Sequence, residues 1–292
     1  MLNIGVFRGG VSAEREVSLE SGAAVVKALR SRGYRVTDVD IRSDEDEYIR
    51  QVIDGHGIDL VFIALHGEFG EDGQLQRILD DMKIPYTGSG PEASAAAMDK
   101  RETHRILEAA GIRMPAVYTP DTIQFPAVVK PPASGSSVGV RVVNSQGELD
   151  AAVGANNHSP LLIEQYIKGR ELTVGILDSK PLPVVEIVAA HGFYDYASKY
   201  EDNRTRFIVP AEMDSGVYDM VQDTAKRVFE ALGCRHLGRV DILLDAGNTP
   251  WVLELNSIPG FTSHSLLPLA ARNAGLSFED LCETIISLAY NI

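Results

Sequence analysis

Residues 238–256 read GRVDILLDAGNTPWVLELN, and two strand-like runs, 239–245 and 251–256, stand within them. Side chains two apart on a strand share a face, so Glu254 and Asn256 point one way while Leu253 and Leu255 point into a core. If the two runs are neighbours in a sheet, the carboxylates of Asp241 and Glu254 converge with the amide oxygen of Asn256. Hard oxygen ligands, completed by water and phosphate, suit Mg²⁺. A solvated sheet face carrying alternating acids is the other reading, and WVLELN alone does not decide between them.

Working outward, LNIGVF at 2–7 is an apolar run that Gly9-Gly10 turns into an amphipathic segment with Val17, Ala24, Val25, Ala28 and Leu29, stopped at Gly33. Further strands at 36–41 and 59–65 and a helix at about 73–82 predict a parallel α/β unit over 1–88. From Pro91 a helix runs to Ala110 and stops at Gly111, followed by strand-like pieces at 116–119, 125–130 and 138–143. A third unit opens near Gly169, with strands at 171–177 and 182–188 and a polar, aromatic loop over 191–209. A helix at about 214–232, the two quoted strands and closing helices follow. The expected domains are 1–90, 91–168 and 169–292, α/β first and α+β in the rest. Ser277 and Asp280 before Leu281, Ile285 and Leu288 form a capping box with Asp in place of Glu or Gln.

The 292 residues, 45% hydrophobic and 23% charged, are enough for two or three compact units. No apolar run reaches the about 18 residues of a membrane span, and MLNIGVFRGG has neither a basic leader nor a cleavage site. A net charge of −14 opposes nucleic acid and anionic membranes, which bind clustered Lys and Arg. Cys234 and Cys282 match no metal or disulfide spacing and read as small hydrophobes, in keeping with a reducing cytoplasm. His56, His104, His158, His191 and His236 have no partner at ligand spacing.

The set Gly238-Arg239-Val240-Asp241, Leu253-Glu254-Leu255-Asn256 and Ser257-Ile258-Pro259-Gly260-Phe261-Thr262 resembles the metal-binding end of the ATP-grasp ligases. Ser12-Ala13-Glu14-Arg15-Glu16-Val17-Ser18, His66-Gly67-Glu68-Phe69-Gly70-Glu71-Asp72-Gly73 and Tyr86-Thr87-Gly88-Ser89-Gly90 are similar to D-alanine:D-alanine ligases in particular. So are Met98-Asp99-Lys100, Tyr194-Asp195-Tyr196, Lys199-Tyr200 and Thr262-Ser263-His264-Ser265-Leu266. The pieces occur in the family's order over nearly the whole chain. The resemblance implies an ATP-grasp fold behind an N-terminal Rossmann-like domain, and a cytoplasmic, homodimeric enzyme that joins two D-alanines for peptidoglycan with ATP and two Mg²⁺ or Mn²⁺ ions.

It also implies roles residue by residue. Asp241, Glu254 and Asn256 hold the metal, and Lys100 and Lys130 meet the phosphates. Ser136 lies in the small-residue loop after Lys130, whose amides suit phosphate although such a loop is otherwise a hairpin. Glu164, Gln165 and Ile167 form the adenine hinge, and Glu171 takes the ribose. Gln165 departs from the lysine usual in the family. Glu14 and His66 face the first D-alanine, although Glu14 also suits the N-terminal dipole of a helix. Glu14, Ser136 and Tyr200 close the loops over the site, with Lys199 beside the nucleotide. Ser265 and the Leu266 amide, opening a helix, take the second carboxylate. Arg239 and the Gly260 amide stabilise the oxyanion; Arg239 as a structural partner of Asp241 is the alternative.

The rivals lack their signatures. A dinucleotide dehydrogenase needs GxGxxG after the first strand, and a P-loop NTPase needs GxxxxGK[ST]; neither occurs. A different ATP-grasp ligase and a non-catalytic nucleotide binder remain as fold-level alternatives, the second opposed by the complete Arg239, Asp241, Glu254 and Asn256 set. A D-lactate-using relative is opposed by Tyr200 following Lys199.

Overall fold

Strand β1 (Asn3–Gly9) is buried from Asn3 to Phe7, which is why LNIGVF shows no alternation: both of its faces are covered. The computed structural model describes residues 2–119, 121–133, 139–156, 160–188, 205–262 and 264–290. β1 is the centre of a parallel sheet, flanked by β2 (Arg35–Ile41) and β3 (Leu60–Ile63). Helices α1 (Arg15–Ser31), α2 (Asp46–His56) and α3 (Gln74–Met82) complete this region, bearing out the parallel α/β expectation. α2 has no counterpart in the sequence reading, because only Ile49 and Ile53 of its residues are buried.

The single helix expected from Pro91 to Ala110 is two, α4 (Pro91–Met98) and α5 (Lys100–Ala109). Asp99 is extended at the break and accepts a 2.9 Å hydrogen bond from Arg101 N–H, a local cap that competes with helix continuation. The break makes Lys100 the first residue of α5.

Three antiparallel strands form a second sheet in the order β5-β4-β6, comprising β4 (Ala127–Lys130), β5 (Arg141–Val143) and β6 (Leu162–Gln165), with α6 (Gln146–Ala155) beside it. The expected strand at 116–119 is reduced to one bridge between Val117 and Glu164. Tyr118 N–H to Ile163 O and Gln165 N–H to Ala116 O, both 2.8 Å, hold it there.

The third sheet runs β10-β9-β7-β11-β12, with β8 paired to β7. Its strands are β7 (Gly169–Leu177), β8 (Lys180–Pro181), β9 (Val185–Val188), β10 (Arg206–Ile208), β11 (Leu237–Asp245) and β12 (Pro250–Asn256). β10 corrects the loop expected over 191–209: three of those residues pair with β9, too few to give a legible alternation. Residues 191–204 lie outside the described residues. Helix α7 (Ser215–Ala231) seats Val221, Ala225, Val228 and Phe229 on Leu172, Val174, Val240, Ile242 and Val252. Burying each of the branched and aromatic side chains among them contributes roughly 1.5–3 kcal/mol.

The chain then returns to its beginning. Leu267 of α8 (Leu266–Asn273) and Leu281 and Ile285 of α9 (Phe278–Tyr290) share a core with Ile4, Val6, Val25 and Leu29. The capping box holds with Asp: Asp280 N–H donates to Ser277 Oγ and Ser277 N–H to Asp280 Oδ2, each at 3.1 Å. Among the described residues no helix is long and apolar enough to cross a membrane.

Candidate active site

β11 and β12 are antiparallel neighbours, and their register sets Asp241 opposite Glu254 and Arg239 opposite Asn256. Between Asp241 and Ile242 the register shifts, so that Ile242 faces Val252 and Leu253 is the extra residue of a bulge. This corrects the reading of Leu253 as a core residue. The bulge advances the alternation by one, leaving Val252 and Leu255 buried and Leu253 half-buried.

Each acid of this pair meets a cation. Arg239 grips Asp241 bidentately, Nε to Oδ1 at 2.9 Å and Nη2 to Oδ2 at 2.8 Å, with both side chains nearly buried. Thr173, opposite Asp241 on β7, donates to Oδ1 at 2.6 Å. Lys100 Nζ lies 3.1 Å from Glu254 Oε2, so the break at Asp99 delivers an amine from α5 onto the sheet of β12. Among the described residues no group of three or more His, Cys, Asp or Glu side chains could hold a metal ion. The set here is two carboxylates and an amide. That set fits Mg²⁺, which keeps waters and takes phosphate oxygens rather than filling an all-protein cage.

Asn256 connects this pair to a second cluster. Ile258 O and Glu71 Oε1 are both acceptors, so the Asn256 amide nitrogen turns to them, at 3.3 Å each, and its oxygen takes the other branch of the amide. Glu71 is buried, and its Oε1 lies 3.6 Å from His66 Nδ1. Burial raises the Glu71 carboxyl above its ordinary range; the His66 ring opposes this and the nearby Glu14 charge reinforces it.

His66 is buried with both ring nitrogens engaged. Ile258 O can only accept, so Nδ1 donates to it at 3.1 Å, and Nε2 accepts from Ser21 Oγ at 2.9 Å. Ser21 Oγ in turn accepts from Phe261 N–H at 3.2 Å, which ties α1 to the Ile258–Phe261 turn. Glu14 stands at the N-cap position of α1 without a side-chain capping hydrogen bond. A Cβ at Gly67, where φ is +72°, would fall 2.9 Å from Glu14 Oε2 and 3.1 Å from Ser12 Oγ, so the carboxylate lies directly against that glycine. Ser12 Oγ donates to His66 O at 2.6 Å. On the other side of the turn, a Cβ at Gly260 would sit 3.0 Å from Ser265 Oγ, which accepts from Thr262 N–H at 3.0 Å. Ser265 precedes α8, and Leu266 is that helix's first residue.

A third cluster lies on the second sheet. Lys130 Nζ is 2.6 Å from Glu164 Oε2, and His104 Nε2 is 2.9 Å from Glu164 Oε1. Burial would raise the Glu164 carboxyl, but the hydrogen bond from His104 and the Lys130 charge outweigh it and hold the group below its ordinary value. Lys100 N–H donates to Pro132 O at 3.0 Å, fastening this cluster's loop to the residue that meets Glu254. Gln165 and Ile167 follow on β6 and just beyond it, and Glu171 is half-buried on β7.

The candidates Glu14, His66, Lys100, Lys130, Glu164, Arg239, Asp241, Glu254, Asn256, Gly260 and Ser265 thus join contact networks. Ser136, Lys199 and Tyr200 lie outside the described residues, as do His158 and His191. Five participants escaped the sequence reading: Ser12, Ser21, Glu71, His104 and Thr173. Ser12 and Glu71 stand inside motifs quoted for other residues, and Ser21 follows Glu14 by two helical turns, a spacing that marks a shared face. Nothing in sequence places Thr173 across from Asp241. Two of the histidines set aside have partners: His104 has Glu164, and His236 Nδ1 accepts from Gly88 N–H at 3.2 Å.

Comparison with known proteins shows the family of the chain. Residues 46–89 match the family model for the D-ala D-ala ligase N-terminus and residues 112–287 that for the C-terminus. A D-alanine–D-alanine ligase of Syntrophotalea carbinolica is 45% identical, over 97% of this chain and 95% of its own length. One of Bordetella avium is 44% identical over 97% and 93%. The crystal structure of D-alanine–D-alanine ligase from Bacillus anthracis complexed with ATP superposes with a TM-score of 0.86 at 31% identity, covering 100% of this chain and 98% of that one. The VanG D-Ala:D-Ser ligase of Enterococcus faecalis superposes at 0.83 with 29% identity, covering 99% of each chain.

Proposed function

The chain belongs to the D-alanine–D-alanine ligase family, with its ATP-grasp fold, and from that premise we propose how its residues join two D-alanines with ATP for peptidoglycan. The observation that carries the assignment of roles is the β11–β12 register, which puts Asp241 against Glu254 and Arg239 against Asn256.

A carboxylate is a poor acyl electrophile. Its oxygen therefore attacks the γ-phosphorus of ATP, the bond to ADP breaks, and an acyl phosphate forms. The amine of the second D-alanine then attacks the carbonyl carbon, phosphate leaves, and the amine gives up a proton. Asp241, Glu254 and Asn256 would hold Mg²⁺ or Mn²⁺, as two ions, supplying charge neutralisation at the phosphates. Lys100 exchanges Glu254 for a phosphate oxygen, with Lys130 and Ser136 on the same phosphates. Glu164, Gln165 and Ile167 take the base, Glu171 the ribose, and Lys199 lies beside the nucleotide. Glu14 meets the first ammonium, and His66, fixed by Ser21 and Ile258, stands next to it. Ser265 and the Leu266 amide receive the second carboxylate, and Arg239 with the Gly260 amide faces the oxyanion. Tyr200 closes with Ser136 and Glu14 over the site. In this reading 1–90 serves the amino acids, 91–168 the nucleotide and 169–292 the metal, and the enzyme works as a cytoplasmic homodimer.

The test is ADP release and product mass from the purified protein with ATP, Mg²⁺ and one candidate acid at a time. D-alanine should give ADP and D-alanyl-D-alanine in equal amounts, and L-alanine little of either. Equal turnover of both hands, or ATP hydrolysis without dipeptide, would sink the assignment.

A further inference from the structure

Glu164 has an environment that holding a base does not explain. Its side chain is 3% exposed, and both oxygens are engaged: Oε2 by Lys130 Nζ at 2.6 Å, Oε1 by His104 Nε2 at 2.9 Å. The histidine is itself 15% exposed and reaches Glu164 from α5, an element of different origin from the β4–β6 pair carrying Lys130 and Glu164. A carboxylate has about four lone-pair sites, and its terminal torsion is soft. With one partner the plane can turn about that contact. With two partners, one on each oxygen, the plane is fixed and so are the directions of the lone pairs left over.

We infer that His104 is a positioning residue for nucleotide selection: it locks the Glu164 carboxylate in the orientation that accepts a hydrogen bond from the exocyclic amine of adenine. The inference rests on the proposed placement of the base at Glu164. A second feature of α5 bears on it. His104 follows Lys100 by four residues, so both project from one face of the helix. One reaches Glu164 and the other Glu254 at 3.1 Å. A single short helix therefore sets the side chains at both ends of the proposed nucleotide site. His104 touches neither base nor phosphate in this scheme. Its effect passes wholly through Glu164.

The experiment compares ATP with purine riboside 5′-triphosphate, which lacks only the exocyclic amine, as phosphoryl donors for the full-length protein with Mg²⁺ and D-alanine. Wild type should favour ATP in KM by about tenfold, the scale of one hydrogen bond to a charged acceptor. In His104→Ala the KM for ATP should rise several-fold while that for purine riboside triphosphate stays within about twofold, so the preference collapses; kcat at saturation should change little. His104→Gln, which keeps an N–H donor, should restore the preference. His104→Met fills the volume without a donor and gives the same reading if the alanine variant is too unstable to assay. Parallel loss of affinity for both nucleotides, or a preference that survives in the alanine or methionine variant, overturns the positioning role. A wild type that does not distinguish the two nucleotides removes the base from Glu164, and the inference falls with that placement.

Discussion

At the scale of single residues, Arg239 carries the sharpest consequence. Its bidentate grip on Asp241 satisfies the structural account that the sequence left open, and on the strand pair Arg239 stands opposite Asn256 of the proposed metal site, where the catalytic account needs it. The two accounts separate in kinetics. If Arg239 faces the oxyanion, its benefit is larger in the transition state than in the substrate complex, and Arg239→Ala lowers kcat by roughly 10²-fold with ATP affinity little changed. Lys does not rescue fully, because it lacks the planar fork. A variant with near-normal kcat at saturating Mg²⁺ and a lowered melting temperature would leave Arg239 as a strand partner only. His236 gives a prediction of another kind. Burial and the Arg235 charge lower its pKa to about 4, and the neutral ring accepts from Gly88 N–H. A depressed histidine pKa means that the unfolded chain binds a proton the folded one refuses. Stability is therefore lost as pH falls from about 6.5 towards 4. Its φ of +64° suits asparagine, whose carbonyl oxygen can accept the same hydrogen bond, so His236→Asn should flatten the melting temperature against pH over that range. An unchanged slope would remove His236 as the cause.

At the scale of elements, what could be read from sequence depended on whether a signal was local. The strands and the capping box are local patterns, and they were legible. Ser277→Ala should lower stability by about 1 kcal/mol, measured by denaturant titration, because Ser277 Oγ accepts from Asp280 N–H and donates to Asp280 Oδ2 at 2.5 Å. A change below about 0.3 kcal/mol would mean that the cap contributes nothing measurable against solvent. Four features were not legible, and for all but the break at Asp99 the cause is non-local. The break at Asp99 competes with a helix pattern strong on both sides. The Leu253 bulge exists only in the pairing with β11. β10 draws its order from β9, and α1 turns Ser18 and Ser21 inward among Val25 and Leu29. Those serines face the site end of the fold, where Ser18 Oγ donates to Ala64 O at 2.7 Å and accepts from Gly9 N–H at 2.9 Å. Apolar periodicity finds the core face of a helix and overlooks the part of that face turned to chemistry. For the same reason Asp241, Glu254, Asn256 and the two lysines stood out as residue types, while Thr173, Glu71 and His104, which contact Asp241, Asn256 and Glu164 respectively, did not.

At the scale of the whole molecule, the candidate site draws on all three sheets. Glu14 and His66 flank the parallel sheet, Lys130 and Glu164 belong to the three-stranded one, and Arg239, Asp241, Glu254 and Asn256 to the six-stranded one, with α5 fastening the last two through Lys100. A nucleotide with metal seated there would touch elements of all three sheets. Binding to the folded chain alone stabilises it by RT ln(1 + [L]/Kd), about 2.7 kcal/mol at a hundredfold excess over Kd. Adding ADP with Mg²⁺ should therefore raise the melting temperature well beyond ADP alone, the difference reporting the metal. Glu254→Gln sharpens this reading. Removing the charge leaves Lys100 without its 3.1 Å carboxylate partner at a nearly buried position, so the baseline melting temperature should fall. The substitution also replaces a carboxylate by a neutral amide, a weaker ligand for Mg²⁺. If Glu254 holds the metal, the increment that Mg²⁺ adds to ADP should shrink to near zero while the increment from ADP alone persists. If Glu254 is instead only the ion-pair partner of Lys100, the baseline falls by the same amount but the Mg²⁺ increment is retained. Differential scanning calorimetry of both proteins, with and without each ligand, separates the two, and a full Mg²⁺ increment in Glu254→Gln would take Glu254 out of the metal site.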